Sequence, residues 1–230
     1  MAFISYTPGT DEGSLHVRAR NPITRSQPHH RRKFPSYKAG RMLHCESVLE
    51  YDFLLHCEFS PCVTGIAEQP QTIRYVIDKR KRRYTPDFLI ETTTGDHLVE
   101  VKPAAKLEDD DTRAKVAILK GWYGDSGEHL VVVTDDRIRI EPRLSNLKLL
   151  LRERRRSLCG VLGSQYADRI RHLLPCTLRE LAPHVGGSSI LMGLLAAGHL
   201  YCDLGLPLEM AVITATPHKE NDHVTSFLSC

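Results

Sequence analysis

The stretch RYTPDFLIETTTGDHLVEVKP, residues 83–103, decides the fold of this 230-residue chain. Two short runs, residues 88–91 and 97–102, alternate apolar and polar side chains on either side of the turn-forming residues 93–96. This pattern predicts a β-hairpin. A four-residue turn would create three cross-strand pairs: Ile90 with Val99, Phe88 with Val101, and Asp87 with Lys102.

The two faces of the predicted hairpin differ in chemistry. Side chains alternate between faces along a strand, so the apolar side chains share a face that we expect to be core: Phe88, Ile90, Val99 and Val101. The opposite face carries Asp87, Glu100 and Lys102. Two carboxylates a few ångströms apart repel each other and raise each other's pKa, and a divalent cation relieves this conflict by binding both. A surface salt bridge between Asp87 and Lys102 is the alternative interpretation.

Asp87, twelve intervening residues and then Glu100-x-Lys102 form the arrangement of metal nucleases often written PD-(D/E)xK, and Pro86 precedes Asp87. In such sites the lysine positions or helps to deprotonate a water. Four ordered segments surround this triplet: ESVLEYDF at 46–53, EQP at 68–70, RYTPDF at 83–88 and VEVKP at 99–103. Together they resemble the TnsA family, the endonuclease subunit of heteromeric Tn-seven-like transposons. The resemblance is close over residues 31–150 and loose over the remainder.

The resemblance implies an α/β fold, in which a restriction-endonuclease-like core with a mixed sheet precedes a small, mostly helical, winged-helix-like domain. It implies cleavage of double-stranded DNA at the 5′ strands of transposon ends. The implied partners are a DDE-type transposase, which cuts and joins the other strand, and an ATP-dependent transposition regulator. Two alternatives stay open: another restriction-like nuclease that needs no transposase, and a non-catalytic DNA-binding assembly subunit.

The first predicted helix, residues 47–57, contains a glutamate with two interpretations. Ser47 and Glu50 have the spacing of a capping box, in which each side chain binds the other residue's main chain. By resemblance, however, Glu50 matches the active-site glutamate that the family carries on a helix. We expect Glu50 to be catalytic, with Glu46 as the alternative for the same role.

Four residues are therefore expected to be catalytic: Glu50, Asp87, Glu100 and Lys102. The expected metal ligands are Asp87, Glu100, the main-chain carbonyl of Val101, and Glu50 directly or through water. The expected cofactor is Mg²⁺, with Mn²⁺ as a substitute, because the site is rich in oxygen ligands and contains neither cysteine nor histidine.

The net charge of +3 does not by itself indicate a nucleic-acid partner. The basic residues are nevertheless clustered at 29–33, 79–83 and 152–156, and such clusters suit phosphate contacts. The DNA-binding candidates are Arg31, Arg32, Lys33, Lys38, Arg41, Gln69, Lys79, Arg80, Lys81, Arg82, Arg83 and Lys106. For Gln69, a buried structural amide is an equally favoured interpretation.

The predicted organisation is a flexible arm at 1–28, a nuclease domain at 29–150, a winged-helix-like domain at 151–215 and a polar tail at 216–230. Within the nuclease domain, an acidic helix start at 108–111 is expected to complement the helix dipole, and residues 137–140 are expected to form a strand. The helix predicted at 189–198 is apolar and lacks base-reading side chains. We therefore expect it to contact protein or to support DNA non-specifically.

Cysteine spacing and hydropathy restrict the class of protein. The seven cysteines are scattered and contain no Cys-x-x-Cys pair, which favours reduced thiols. No apolar run reaches membrane-spanning length, and no export signal is recognisable at the N-terminus. We expect a DNA-associated protein of the bacterial cytoplasm with no membrane partner.

Overall fold

A computed structural model of the chain describes residues 4–5, 32–77, 80–154, 161–217 and 223–228. It shows the mixed α/β fold that the sequence predicts, with strands concentrated in one compact unit and helices in another. The first unit comprises Met1–Leu54 and Val63–Asp136, and the second comprises Leu55–Cys62 and Arg137–Ser229. The predicted domain boundary at 150 therefore falls inside the second unit.

The first unit carries most of the strands. They are β1 (Ile4–Ser5), β2 (Arg32–Ser36), β3 (Arg41–Cys45), β4 (Val63–Glu68), β5 (Ile73–Ile77), β6 (Arg80–Tyr84), β7 (Phe88–Thr92), β8 (Gly95–Lys102) and β9 (Leu130–Thr134). Its helical segments are α1 (Val48–Phe59), whose last five residues belong to the second unit, a 3₁₀ turn (Ala104–Leu107) and α2 (Asp110–Asp125).

A four-stranded mixed sheet forms the centre of this unit, in the order β4-β7-β8-β9. Its neighbours are antiparallel except for β8 and β9, which run parallel. Parallel neighbours need a crossover connection, and α2 supplies it. Leu119 and Tyr123 of α2 are buried with Leu98 and Leu130 in one apolar cluster. The strands β1-β5-β6 form a second sheet, and β2-β3 form a hairpin.

The predicted hairpin exists, but the predicted register is wrong by two residues. Phe88 pairs with Val99 and Thr92 pairs with Gly95, so the loop contains only Thr93 and Thr94. The Thr92 hydroxyl closes this tight turn, because it donates to the Gly95 carbonyl at 2.7 Å and accepts from the Thr94 amide at 3.2 Å. A two-residue slip preserves the faces of both strands, and the four expected core residues are buried: Phe88, Ile90, Val99 and Val101.

The acidic residues at 109–111 begin α2, as expected. The Asp109 side chain accepts a hydrogen bond from the Thr112 amide at 2.9 Å and caps the helix. Residues 137–140, in contrast, do not form the predicted strand. A short helix, α3 (Asp135–Ile138), occupies this position, and its first two residues are aspartates, which stabilise a helix N-terminus.

The basic segment at 29–44 forms a folded hairpin over its described residues. The rings of Phe34 and Tyr51 meet edge to face with centroids 5.1 Å apart, and Leu43 and Cys45 are also buried. These side chains therefore pack within the first unit. Arg31 lies outside the described residues.

The second unit is mainly helical. After α3 its elements are α4 (Arg143–Arg154), α5 (Val161–Ile170), β10 (Cys176–Thr177), α6 (Leu178–Leu181), α7 (Ser188–Ala197), β11 (Val212–Ile213) and α8 (His223–Leu228), with 3₁₀ turns at Arg171–Leu173 and Ala182–His184. Thr177 and Glu180 form a capping box at the start of α6. The apolar side chains of α7 lie inside this unit, which explains why they carry no polar reading groups; they include Leu191, Leu194 and Leu195.

The expectation of a polar tail at 216–230 needs correction for the described residues. Helix α8 buries Phe227 and Leu228, and the Phe227 ring lies 5.2 Å from the His56 ring between centroids. An aromatic side chain that packs on a buried histidine is part of a core. In the described part of the chain, no helix has the length and hydropathy needed to cross a membrane.

Candidate active site

The central hairpin brings the predicted carboxylates together. Asp87 immediately precedes β7, and the register of β7 and β8, continued by one residue, places it opposite Glu100 rather than opposite Lys102. The Asp87 Oδ2 atom accepts a hydrogen bond from the Val101 amide at 2.7 Å. The main chain of β8 therefore fixes Asp87 beside Glu100, which is itself buried.

The electrostatics of Asp87 show that these acids share one environment. Burial raises the pKa of Asp87 well above its ordinary value, and the neighbouring Glu100 and Glu50 carboxylates raise it further. The Val101 amide and Lys102 act in the opposite direction without cancelling the effect. A bound cation would relieve the cost of placing these neighbouring carboxylates in a buried environment.

Glu50 is held as a helix cap and also faces this cluster. Its carboxylate accepts from the Ser47 hydroxyl at 2.9 Å and from the Glu46 amide at 2.7 Å, while its own amide donates to the Ser47 hydroxyl at 3.1 Å. Burial, followed by the charges of Glu46 and Glu100, raises the pKa of Glu50. The Ser47 half of the predicted capping box is present, whereas the Glu50 carboxylate binds the Glu46 amide and the Ser47 hydroxyl instead of the Ser47 amide. The catalytic role of Glu50 stays a prediction.

Both oxygens of the Glu100 carboxylate have protein donors. Lys102 Nζ binds Oε1, and the buried Tyr84 hydroxyl donates to Oε2 at 2.8 Å. Burial and the Glu100 charge raise the pKa of Tyr84, so this hydroxyl remains a donor at physiological pH. Sequence reasoning missed Tyr84, although it stands three residues before Asp87 in the RYTPDF segment.

Gln69 connects the chain segments that carry the acids. Its amide N–H donates to the Asp87 carbonyl at 2.8 Å, and its side-chain Nε2 donates to Glu46 Oε1 at 3.0 Å. The backbone adopts a left-handed conformation, with φ of 49°, which is uncommon for a residue other than glycine. Gln69 is 8% exposed, which agrees with the interpretation as a buried structural amide.

The residues fit a Mg²⁺ ion better than a metal held entirely by protein. Among the described residues, no group of three His, Cys, Asp or Glu side chains is arranged to hold a metal. Mg²⁺ commonly uses one or two carboxylates and completes its coordination with waters and substrate phosphates. Asp87 and Glu100 supply such a pair, and their mutual repulsion is the conflict that a cation relieves.

The described DNA-binding candidates fall into two groups. Lys38 and Arg41 are engaged within the protein: Lys38 Nζ donates to the Val63 carbonyl at 2.6 Å, and Arg41 binds both Glu68 oxygens at 2.8 and 2.6 Å. The other basic candidates are exposed: Arg32, Lys33, Arg80, Lys81, Arg82, Arg83 and Lys106. Lys79, like Arg31, lies outside the described residues.

Comparison with known proteins gives a match to one part of the chain. Residues 60–135 match the family model described as TnsA-like endonuclease N terminal. The matched segment contains Gln69, Tyr84, Asp87, Glu100 and Lys102, whereas Glu50 precedes it. No curated protein matches the chain.

Proposed function

With residues 60–135 belonging to the TnsA-like endonuclease N-terminal family, we propose that this chain is the metal-dependent endonuclease subunit of a heteromeric transposase. It hydrolyses phosphodiester bonds at the 5′ strands of transposon ends during cut-and-paste transposition. The observation that carries this proposal is the placement of Asp87 beside the buried Glu100, with Lys102 bound to Glu100.

Asp87 and Glu100 would hold Mg²⁺, for which Mn²⁺ may be substituted experimentally. The Val101 carbonyl would add a ligand, and Glu50 would contribute directly or through water. Bound there, the metal ion would neutralise charge on the scissile phosphate and make a water more acidic.

The protein's own residues prepare this chemistry. Tyr84 holds one Glu100 oxygen, and the Val101 amide holds one Asp87 oxygen, so both acids are oriented before DNA arrives. Lys102, bound to Glu100 in the free protein, would turn to orient the attacking water and to stabilise charge on the phosphate. The products would be a 3′-hydroxyl and a 5′-phosphate.

The proposed partners are double-stranded DNA at the transposon ends, a DDE-type transposase and an ATP-dependent regulator, in the bacterial cytoplasm. The exposed candidates Arg32, Lys33, Arg80–Arg83 and Lys106 would contact phosphates, together with Arg31 and Lys79. Lys38, Arg41 and Gln69 are less available for this role because the protein engages their side chains.

A strand-specific cleavage assay tests the proposal. Transposon-end DNA is incubated with the transposase and either wild type or Asp87→Ala, in Mg²⁺ or in EDTA. Asp111→Ala, which removes an exposed carboxylate from α2, is the matched control. We expect 5′-strand cuts only in Mg²⁺, no 5′ cuts with Asp87→Ala, and wild-type cutting with Asp111→Ala. The transposase should make its 3′ cuts with every variant in Mg²⁺.

Two results would overturn the proposal. If 5′-strand cuts persist in Asp87→Ala, the acidic hairpin is structural and another residue set performs the cleavage. If no 5′ cuts occur with wild type while the complete complex still transposes, the chain is a non-catalytic assembly subunit.

A further inference from the structure

The β5–β6 hairpin carries positive charge in an arrangement that stability does not explain. The two strands are antiparallel, with Ile73 opposite Tyr84 and Arg74 opposite Arg83. Directly opposed side chains on one face of a sheet are about 5 Å apart at Cβ, and like charges placed there destabilise the pairing. The fold therefore places two guanidinium groups where they repel each other.

Alternation along the strands gives the hairpin two faces, one with Ile73, Tyr75, Arg80, Arg82 and Tyr84 and the other with Arg74, Lys81 and Arg83. Ile73, Tyr75 and Tyr84 are buried on the first face. Arg74, Lys81 and Arg83 belong to the opposite face, and all three are exposed. Within the described residues, none of these three basic groups forms an ion pair with a carboxylate. We call these three residues the basic face of the hairpin.

Protection of a sheet edge accounts for only part of this pattern. Charged side chains on an edge strand discourage unwanted pairing, and β6 is an edge strand in the order β1-β5-β6. Arg74, however, lies on β5, which has a neighbour on each side. A charge on a central strand, facing solvent and opposite another arginine, needs a different explanation.

We propose that the basic face binds the phosphate backbone of duplex DNA, on the side of the hairpin opposite to Tyr84. Arg83 immediately precedes Tyr84, whose hydroxyl holds Glu100. Because adjacent residues of a strand point to opposite faces, a phosphate bound by Arg74 and Arg83 would lie across the hairpin from Glu100 and outside the active site. It would also relieve the repulsion between the two guanidinium groups. This inference rests on the proposed function and names the surface by which the substrate is held.

DNA affinity measured without cleavage tests the basic face. The variants are Arg74→Gln, Arg83→Gln and the double variant, which keep much of the aliphatic stem, with Lys120→Gln on the exposed side of α2 as the charge-matched control. Fluorescence anisotropy in EDTA follows binding of a transposon-end duplex and of an unrelated duplex over a salt series. Thermal unfolding of each variant is recorded in parallel.

We expect each basic-face substitution to weaken binding to both duplexes about fivefold to tenfold at 0.1 M salt, and to reduce the slope of log affinity against log salt by about 0.9. The double variant should lose about twice that slope. Arg83→Lys should retain most of the affinity, because a phosphate accepts any nearby cation. Because a repulsive pair is removed, Tm should stay equal or rise.

If the basic-face variants bind DNA no more weakly than Lys120→Gln does, the inference is wrong. The basic face would then serve only to protect the edge of the sheet. The result is independent of the nuclease proposal. If wild type cleaves DNA in Mg²⁺ and the basic-face variants bind normally, only the inference fails. If the variants lose binding and wild type never cleaves, the surface stands and the proposed function fails.

Discussion

The β2–β3 and β5–β6 hairpins of the first unit carry similar basic side chains and use them differently. In the β2–β3 hairpin, Arg41 pairs with Glu68, and Lys38 donates to the Val63 carbonyl. In the β5–β6 hairpin, Arg74 and Arg83 lie opposite each other, and neither forms an ion pair with a carboxylate in the part of the chain that the structure describes. A basic cluster in a sequence can therefore either stabilise the fold through internal contacts or remain available to bind a ligand. Its acidic neighbours in the structure distinguish the two cases.

Arg41→Met should produce the largest change in stability. Glu68 is 1% exposed, so the substitution leaves a buried carboxylate without its bidentate partner. We expect the free energy of unfolding to fall by about 2 kcal/mol, measured by urea denaturation. The double variant Arg41→Met/Glu68→Gln should recover most of the loss. If stability is unchanged while DNA affinity falls, Arg41 contacts DNA instead of stabilising the fold.

Tyr84→Phe tests the buried face of the β5–β6 hairpin. It removes the donor to Glu100 and keeps the ring, so we expect Mn²⁺ affinity to fall about tenfold, as for other partners of metal-ligating carboxylates. Electron paramagnetic resonance of free Mn²⁺ measures the affinity. Tyr123→Phe, which alters a second buried tyrosine of the same cluster, is the control. Equal affinities in the two variants would leave Tyr84 with a packing role only.

Asp87→Asn extends the comparison to the acidic cluster. The pKa of Asp87 is raised in the folded state, so ionisation of this group opposes folding as pH rises above its unfolded-state value of about 3.9. Without metal, the variant should therefore be more stable than wild type by about 1 kcal/mol at pH 8, and the difference should vanish below about pH 4. Unfolding measured in EDTA from pH 3.5 to 8 checks this. A difference that is constant with pH would contradict it.

Lys38→Met should have the smallest effect of the four. It removes one partly buried hydrogen bond to the Val63 carbonyl, which we expect to reduce the free energy of unfolding by about 0.5–1 kcal/mol. Lys120→Gln should leave it unchanged. If Lys38→Met instead weakens DNA binding without loss of stability, the β2–β3 hairpin also offers charge to DNA.

The faces of the central hairpin were predictable because side chains alternate with a period of two, and a register error of two residues does not change which face each side chain is on. Any even shift keeps Phe88 and Ile90 in the core and Asp87 on the side of Glu100. The register itself was not predictable, since the Thr92 hydroxyl closes the turn where the pattern suggests a longer loop. A local side-chain contact thus decided what the hydrophobic pattern left open.

The acidic residues of the site were identified from spacing, whereas the residues that hold them were not. Tyr84 reaches Glu100 only because β6 packs its buried face beside β8, and Gln69 reaches Glu46 across 23 positions of the chain. Such contacts depend on the relative placement of strands. The strand expected at 137–140 failed for a related reason, because alternation over four residues is too short to outweigh two aspartates that favour a helix start.

The backbone and the side chain of residue 69 favour different amino acids. Its left-handed backbone suits glycine, whereas its contact with Glu46 needs a side chain with an amide at the end of a long stem. No standard residue except glutamine offers that amide at that length, and none except glycine adopts that backbone without strain. In a saturation library at this position, the best-folding clones and the best-cutting clones should therefore be different proteins.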